Sequence, residues 1–156
     1  MPSVPDEGWL VVIDPQVVFA DPQTSPWGSG MWAGVVGHIA SLAAAHGPSR
    51  TIVTRFVADP GLGGSWGPYY QAWPFALVPD EDPLYAVVPE LVGVAEHVVT
   101  AGTFGKWPVL RELVGDGAHL TLTGVSTDCC VLSTALPAAD AGATVRLLES
   151  PSLNVI

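Results

Sequence analysis

The sequence predicts an α/β fold: a doubly wound, Rossmann-like, mostly parallel sheet of five or six strands with helices on both faces. Three observations predict it. Apolar runs of strand length recur along the chain, and the first, Trp9-Leu10-Val11-Val12-Ile13, is continuous, the mark of a strand buried on both faces. Segments with apolar residues at helical spacing separate them. The carboxyl ends of those runs carry an Asp, an Arg, a Lys and a Cys, at the edge where open parallel sheets bind ligands.

Trp9-Leu10-Val11-Val12-Ile13 ends at Asp14-Pro15 and reads as the first buried strand. A loop rich in Pro, Gly and Ser over 21–30 leads to a helix over 31–46, with Val35, Val36, Ile39, Leu42 and Ala43 at helical spacing. Gly47-Pro48-Ser49 stops it. Thr51-Ile52-Val53-Thr54 is the second strand, ending at Arg55-Phe56. Residues 58–96 are irregular, broken by Gly and Pro, and carry Trp66, Tyr69, Tyr70, Trp73 and Phe75. So long an insert is expected to form a lid or pocket wall, or an aromatic mini-core under a long loop.

His97-Val98-Val99-Thr100 is the third strand, followed by Ala101-Gly102-Thr103-Phe104-Gly105-Lys106 and a helix over 108–114, with Pro108 at an allowed early position. His119-Leu120-Thr121-Leu122-Thr123 is the fourth. It feeds Gly124-Val125-Ser126-Thr127-Asp128-Cys129-Cys130-Val131 and then an alanine-rich helix. Thr144-Val145-Arg146-Leu147-Leu148 is the fifth. A doubly wound sheet wants a further helix after it, and Pro151-Ser152-Leu153-Asn154-Val155-Ile156 does not read as one. Either a partner subunit covers that face or the chain ends early.

The 156 residues suffice for one domain with a real core, expected over 1–156 without repeat or linker. Hydrophobic residues make up 49%, but no apolar run approaches membrane-spanning length, so no membrane partner is expected. Net charge is −10, from 15 acidic and 5 basic side chains, which repels phosphate backbones and sets nucleic acid aside. The first residues lack the pattern of a signal peptide, and two adjacent cysteines cannot staple a fold, so the expected setting is reducing and cytoplasmic.

A thiol at a strand-to-helix turn lies near the positive end of the helix dipole, which favours thiolate and makes Cys130 a candidate nucleophile. The edge rule decides what can reach it. Asp14, Arg55 and Lys106 fall on the same edge, whereas His97, His119 and His46 belong to the opposite one and His38 lies mid-helix. A Cys–His dyad is therefore disfavoured, and Asp14 is the placed base. Lys106 beside it is expected to keep the carboxylate charged and favour the thiolate, and its ammonium could stabilise an oxyanion with backbone N–H groups of the turn. The plainer reading of Asp14 and Lys106 is an ion pair that closes the sheet edge. If Thr127 or Asp128 caps the helix, Cys129 and Cys130 point about 100° apart and only one faces the site. Cys129 is then a small apolar filler or, more sharply, half of a vicinal redox pair.

These segments resemble the isochorismatase-like cysteine hydrolases, which include nicotinamidases and N-carbamoylsarcosine amidases. Ile13-Asp14-Pro15-Gln16-Val17-Val18-Phe19 is similar to that family's D-x-Q-x-x-F start, Gly105-Lys106 falls where its lysine follows the third strand, and Gly124 to Val131 is similar to its G-V-x-T-[DN]-x-C-V motif. The resemblance implies Asp14, Lys106 and Cys130 as a catalytic triad, with Cys129 at a variable position. It implies an oxyanion hole from Ser126 and Cys130, a cis peptide at Val125–Ser126, and a homodimer or homotetramer. Nicotinamidases carry histidines after the second strand for a metal, and Arg55-Phe56-Val57-Ala58-Asp59 has none, so no metal or other cofactor is expected. The nucleophilic cysteine argues against the vinyl-ether chemistry of true isochorismatases.

The expected function is a metal-independent cysteine hydrolase cleaving a C–N bond of a small amide or ureido substrate through a thioester. Phe19, Arg55, Trp66, Tyr70 and Trp107 are its expected pocket residues. The alternatives are a catalytically silent small-molecule-binding or oligomerisation module of the same fold, and a thiol-redox protein using Cys129 and Cys130.

Overall fold

The computed structural model describes residues 8–125, 127–148 and 153–155. Its strands are β1 (Trp9–Ile13), β2 (Thr51–Phe56), β3 (His97–Ala101), β4 (His119–Gly124), β5 (Thr144–Leu148) and β6 (Leu153–Val155), in the spatial order β3-β2-β1-β4-β5-β6. The first five run parallel and β6 is antiparallel to β5, pairing Arg146 with Val155 and Leu148 with Leu153. The helices are α1 (Val17–Ala20), α2 (Trp32–His46), α3 (Trp66–Ala72), α4 (Trp107–Val114) and α5 (Leu132–Asp140).

Period-two alternation splits β1 between two cores. Leu10 and Val12 face one side with Ile39, Leu42 and Ala43 of α2 and with Tyr70, Tyr85 and Leu91 of the 58–96 insert. Val11 and Ile13 face the other with Leu110 of α4 and Ala135 and Ala138 of α5. Because both faces are covered, β1 reads as an unbroken apolar run. The outer strand β3 alternates instead, and its Val98 is exposed.

One expectation needs correction. Residues 58–96 are more regular than their glycines and prolines suggested, containing α3 and three short 3₁₀ turns, Pro74–Ala76, Pro83–Tyr85 and Pro89–Leu91. Each turn begins on its proline, whose fixed φ and missing N–H suit a first position. Pro68 likewise falls in the first turn of α3, where the N–H has no intrahelical partner anyway. The segment after β5 contains a strand, where a helix was looked for and none was found in the pattern. Three residues are too few to show periodicity, and the neighbouring strand supplies the pairing.

Strand order reverses between β1 and β4, whose register brings Ile13 opposite Gly124. The approach is tight. Gly124 has φ +128°, and a Cβ there would lie 2.3 Å from the Ile13 carbonyl oxygen, so the position requires glycine. The chain leaves β1 through Asp14, the one non-glycine residue with positive φ among those described, at +48°. Strain of this kind persists only where surrounding contacts fix it. Here it marks the sheet edge at the reversal point.

Candidate active site

Asp14 is fixed from two sides. Thr54, near the end of β2, donates from Oγ1 to Asp14 Oδ1 at 2.7 Å and accepts from the Asp14 backbone N–H at 3.0 Å. Lys106 donates from Nζ to Asp14 Oδ2 at 3.0 Å, and both side chains of this pair have no exposed surface. Lys106 Nζ also donates to the carbonyls of Thr103 (2.6 Å) and Phe104 (3.0 Å). An ammonium has three protons, and all three have acceptors. The expectation that Lys106 also binds an oxyanion is therefore corrected: its donors are committed to Asp14 and to its own loop.

Cys130 lies in the second core with Val11, Ile13, Trp107 and Val131, only 4% exposed. The charges of both Asp14 and Lys106 act on its thiol. The thiol is nevertheless held well above its ordinary pKa, not below it as the helix dipole suggested. A hydrogen bond with the Cys129 thiol is the largest cause, burial the second and the Asp14 carboxylate the third, and together they outweigh Lys106.

The two cysteines also differ from expectation. The turn that carries them, Thr127–Val131, is a π-helical turn preceding α5, not the first turn of an α-helix. Cys129 is half-buried and packs against the same core as Cys130. Ser126, the Val125–Ser126 peptide and the side chains of Thr127 and Asp128 lie outside the described residues.

Of the five residues expected to line a pocket, Phe19, Trp66 and Tyr70 fall in one aromatic cluster linked through Phe56. Trp107 packs in the core that holds Cys130. Trp66 is half-buried, stacks on Tyr70 at 5.7 Å and meets Phe104 at 5.0 Å. Tyr70 and Phe19 are buried in the first core, Phe19 stacked on Trp27. Arg55 is engaged by the insert. Its guanidinium donates to the Asp80 carboxylate, the Tyr85 carbonyl and Thr100 Oγ1, tying the insert to β2 and β3. Tyr69 is the aromatic beside the thiols: burial first, then the charges of Cys129, Tyr70 and Cys130, push its hydroxyl up to about 12. The sequence offered it only as one of five aromatics without register.

Residues 8–150 match the sequence model of the isochorismatase domain. The chain belongs to the isochorismatase domain family. Several solved structures share its fold. A cysteine hydrolase from Pseudomonas syringae pv. phaseolicola 1448A superposes with a TM-score of 0.73 at 22% identity, covering 94% of this chain and 72% of the other. PnC1 from L. infantum, in complex with nicotinate, gives 0.72 at 17% identity over 99% and 85%. A nicotinamidase/pyrazinamidase of Acinetobacter baumanii gives 0.61 at 20% identity over 90% and 82%. At these identities the likeness is one of fold. No curated protein matches the chain significantly.

In this isochorismatase-domain chain, three further residues frame the site: Thr54 and Thr134, not singled out in the sequence, and Gln16, given there only as a position of the D-x-Q-x-x-F start. Thr54 needed the β1–β2 register to be seen. Gln16, two positions after Asp14, is fully buried and satisfied: its Nε2 donates to the Phe56 and Tyr85 carbonyls, and its Oε1 accepts from the Phe56 N–H at 2.7 Å. It locks the ends of β1 and β2 to the insert. Thr134, four residues after Cys130, accepts from the Lys106 N–H and donates to the Cys130 carbonyl. The histidines lie away from the thiol: His46 Nε2 meets the Gly8 carbonyl, and His97 packs edge-on to Trp9. No group of three or more His, Cys, Asp and Glu able to hold a metal occurs among the described residues, nor does any helix long and apolar enough to cross a membrane.

Proposed function

We propose that this chain is a cysteine hydrolase that cleaves a C–N bond of a small amide or ureido substrate with Asp14, Lys106 and Cys130, without a metal. The observation that carries the reading is the fully buried Asp14–Lys106 pair whose two charges both act on the Cys130 thiol. Placing a carboxylate, an ammonium and a thiol together in a core is costly, and such groupings cluster at functional sites. The nicotinamidase-type neighbours and the nicotinate bound to one of them support a small planar carbonyl compound as the kind of substrate. The absence of histidine from Arg55-Phe56-Val57-Ala58-Asp59 supports the metal-independent form.

Chemistry starts from a neutral thiol. Asp14 takes the Cys130 proton as sulfur attacks the substrate carbonyl, so the charged nucleophile exists only while it reacts. Lys106 remains the counter-ion of the Asp14 carboxylate and fixes its direction. With the lysine protons committed, backbone N–H groups of the turn before α5, including that of Cys130, receive the oxyanion. Asp14 then gives its proton to the leaving nitrogen, the C–N bond breaks and a thioester remains. Water attacks the thioester while Asp14 accepts its proton, releasing the acid and returning the thiol. Self-association as a dimer or tetramer and a cytoplasmic setting complete the proposal.

The adjacent free thiols of Cys129 and Cys130, both packed against the second core, favour one second reading, a thiol-redox protein. A panel of small amides and ureides, followed by ammonia release, separates the two. Turnover that disappears in Cys130→Ala supports the hydrolase. No turnover, with reversible loss of two hydrogens on mild oxidation, supports the redox protein.

A further inference from the structure

Thr134 is fully buried and sits one α-helical turn beyond Cys130, in the first turn of α5. A threonine there ordinarily returns its hydroxyl to the carbonyl four residues back, and this one does so, donating to Cys130 O at 2.8 Å. The same oxygen has a second duty. It accepts from the backbone N–H of Lys106 at 3.0 Å, from a segment 28 residues earlier in the chain. Lys106 is the residue just before α4, where a backbone N–H has no intrahelical acceptor. One hydroxyl therefore links the backbones of Lys106 and Cys130.

A separate observation marks the same contact. Gly105 has ordinary backbone geometry, yet a Cβ there would lie 2.7 Å from the Ser133 carbonyl oxygen. Backbone meets backbone at Gly105 and Ser133, and the Lys106–Thr134 hydrogen bond follows one residue on. The loop after β3 and the start of α5 are thus pressed together at a point that admits no side chain between them.

We propose that Thr134 is a positioning residue that holds Lys106, and through it the Asp14 carboxylate, at a fixed distance from Cys130. The inference rests on the hydrolase reading and adds to it the part that sets the relation between base and nucleophile. Asp14 is anchored to β2 by Thr54 and to the loop by Lys106, but neither contact fixes it relative to the turn carrying Cys130. Thr134 and the Gly105 contact do. Proton transfer is steeply sensitive to such placement, and displacement of about 1 Å can cost about 100-fold.

The test is alkylation of the purified full chain with iodoacetamide across pH 6–10 (a range chosen to bracket an ordinary thiol), with labelling at Cys130 and Cys129 distinguished by tandem mass spectrometry. Unaltered protein, Thr134→Val, Thr134→Ser, Gly105→Ala and Asp14→Asn are compared, each checked for folding by circular dichroism. The groups acting on the thiol, Asp14 from the end of β1, Lys106 from the loop, Tyr69 from α3 and Cys129 from its own turn, are unchanged in the first three variants. Thr134→Val keeps the shape and loses both hydrogen bonds. Its Cys130 labelling at neutral pH is expected to fall by about tenfold or more, with a shifted pH midpoint. Thr134→Ser keeps the hydroxyl and is expected to label like the unaltered chain. Gly105→Ala should reproduce the valine variant, and combining the two should add little because they break one contact.

Equal labelling of folded Thr134→Val and unaltered protein overturns the inference while leaving the hydrolase reading intact. Equal loss in the serine and valine variants also overturns it, since packing and not the hydroxyl would then be responsible. Should Asp14→Asn label as fast as the unaltered chain, the hydrolase reading itself fails and this inference with it.

Discussion

Thr54 Oγ1 lies within hydrogen-bonding distance of two atoms of Asp14, its carboxylate Oδ1 at 2.7 Å and its backbone nitrogen at 3.0 Å. The hydroxyl donates to the first and accepts from the second. It thereby holds the side chain and the +48° backbone turn of one residue together. Replacing Thr54 by Val leaves a buried carboxylate oxygen and a buried N–H each short of a partner. The expected cost is about 2–4 kcal/mol in urea denaturation, with slower Cys130 labelling. A variant as stable and as reactive as the original would show that Asp14 keeps its conformation without the hydroxyl.

The Asp14–Lys106 pair separates stability from chemistry. Lys106→Met leaves a carboxylate buried without its counter-ion, and a loss of about 3–5 kcal/mol is expected. Asp14→Asn combined with Lys106→Met removes both charges from a fully buried position and should recover much of that stability. It should recover no activity. Paired denaturation and turnover measurements check this, and an active double variant would refute the assigned roles.

The raised Cys130 thiol has a consequence for stability. An acid whose pKa is higher in the folded state keeps its proton while the unfolded chain loses its own, so stability falls as pH rises past the unfolded value. That value is 9.0 for a free thiol, and melting temperature should decline above it. Cys130→Ala should flatten the decline near pH 9, leaving the later loss from Tyr69, whose hydroxyl ordinarily titrates at 10.0 and is pushed up to about 12. Cys129→Ala removes the largest cause of the thiol shift, so iodoacetamide should label Cys130 faster at neutral pH.

Arg55 tests the insert and not the chemistry. Its contacts with Asp80 and the Tyr85 carbonyl fasten residues 80–85 to the sheet. The Asp80 side chain is about half exposed, so the ion pair itself contributes little, about 0–1 kcal/mol. Arg55→Ala should therefore barely change the melting temperature while limited proteolysis cuts within 58–96 more readily. A large loss of Cys130 reactivity in this variant would return Arg55 to the site.

The sequence alone determined the sheet and the residues offered to its edge. The continuous apolar run at 9–13 calls for burial on both faces and so for helices on each side, and the strand-length segments at 51–54, 97–100 and 119–123 place Asp14, Lys106 and Cys130 beyond the carboxyl ends. That much is local periodicity and topology. Tertiary structure alone decided what these residues do to one another. The Thr54 and Thr134 hydroxyls act across separations of 40 and 28 residues, which no periodic pattern encodes. The commitment of every Lys106 proton depends on where the Thr103 and Phe104 carbonyls turn. The direction of the Cys130 shift follows from a sum of opposing effects, burial, a neighbouring thiol and two opposite charges, and only the folded distances fix which prevails.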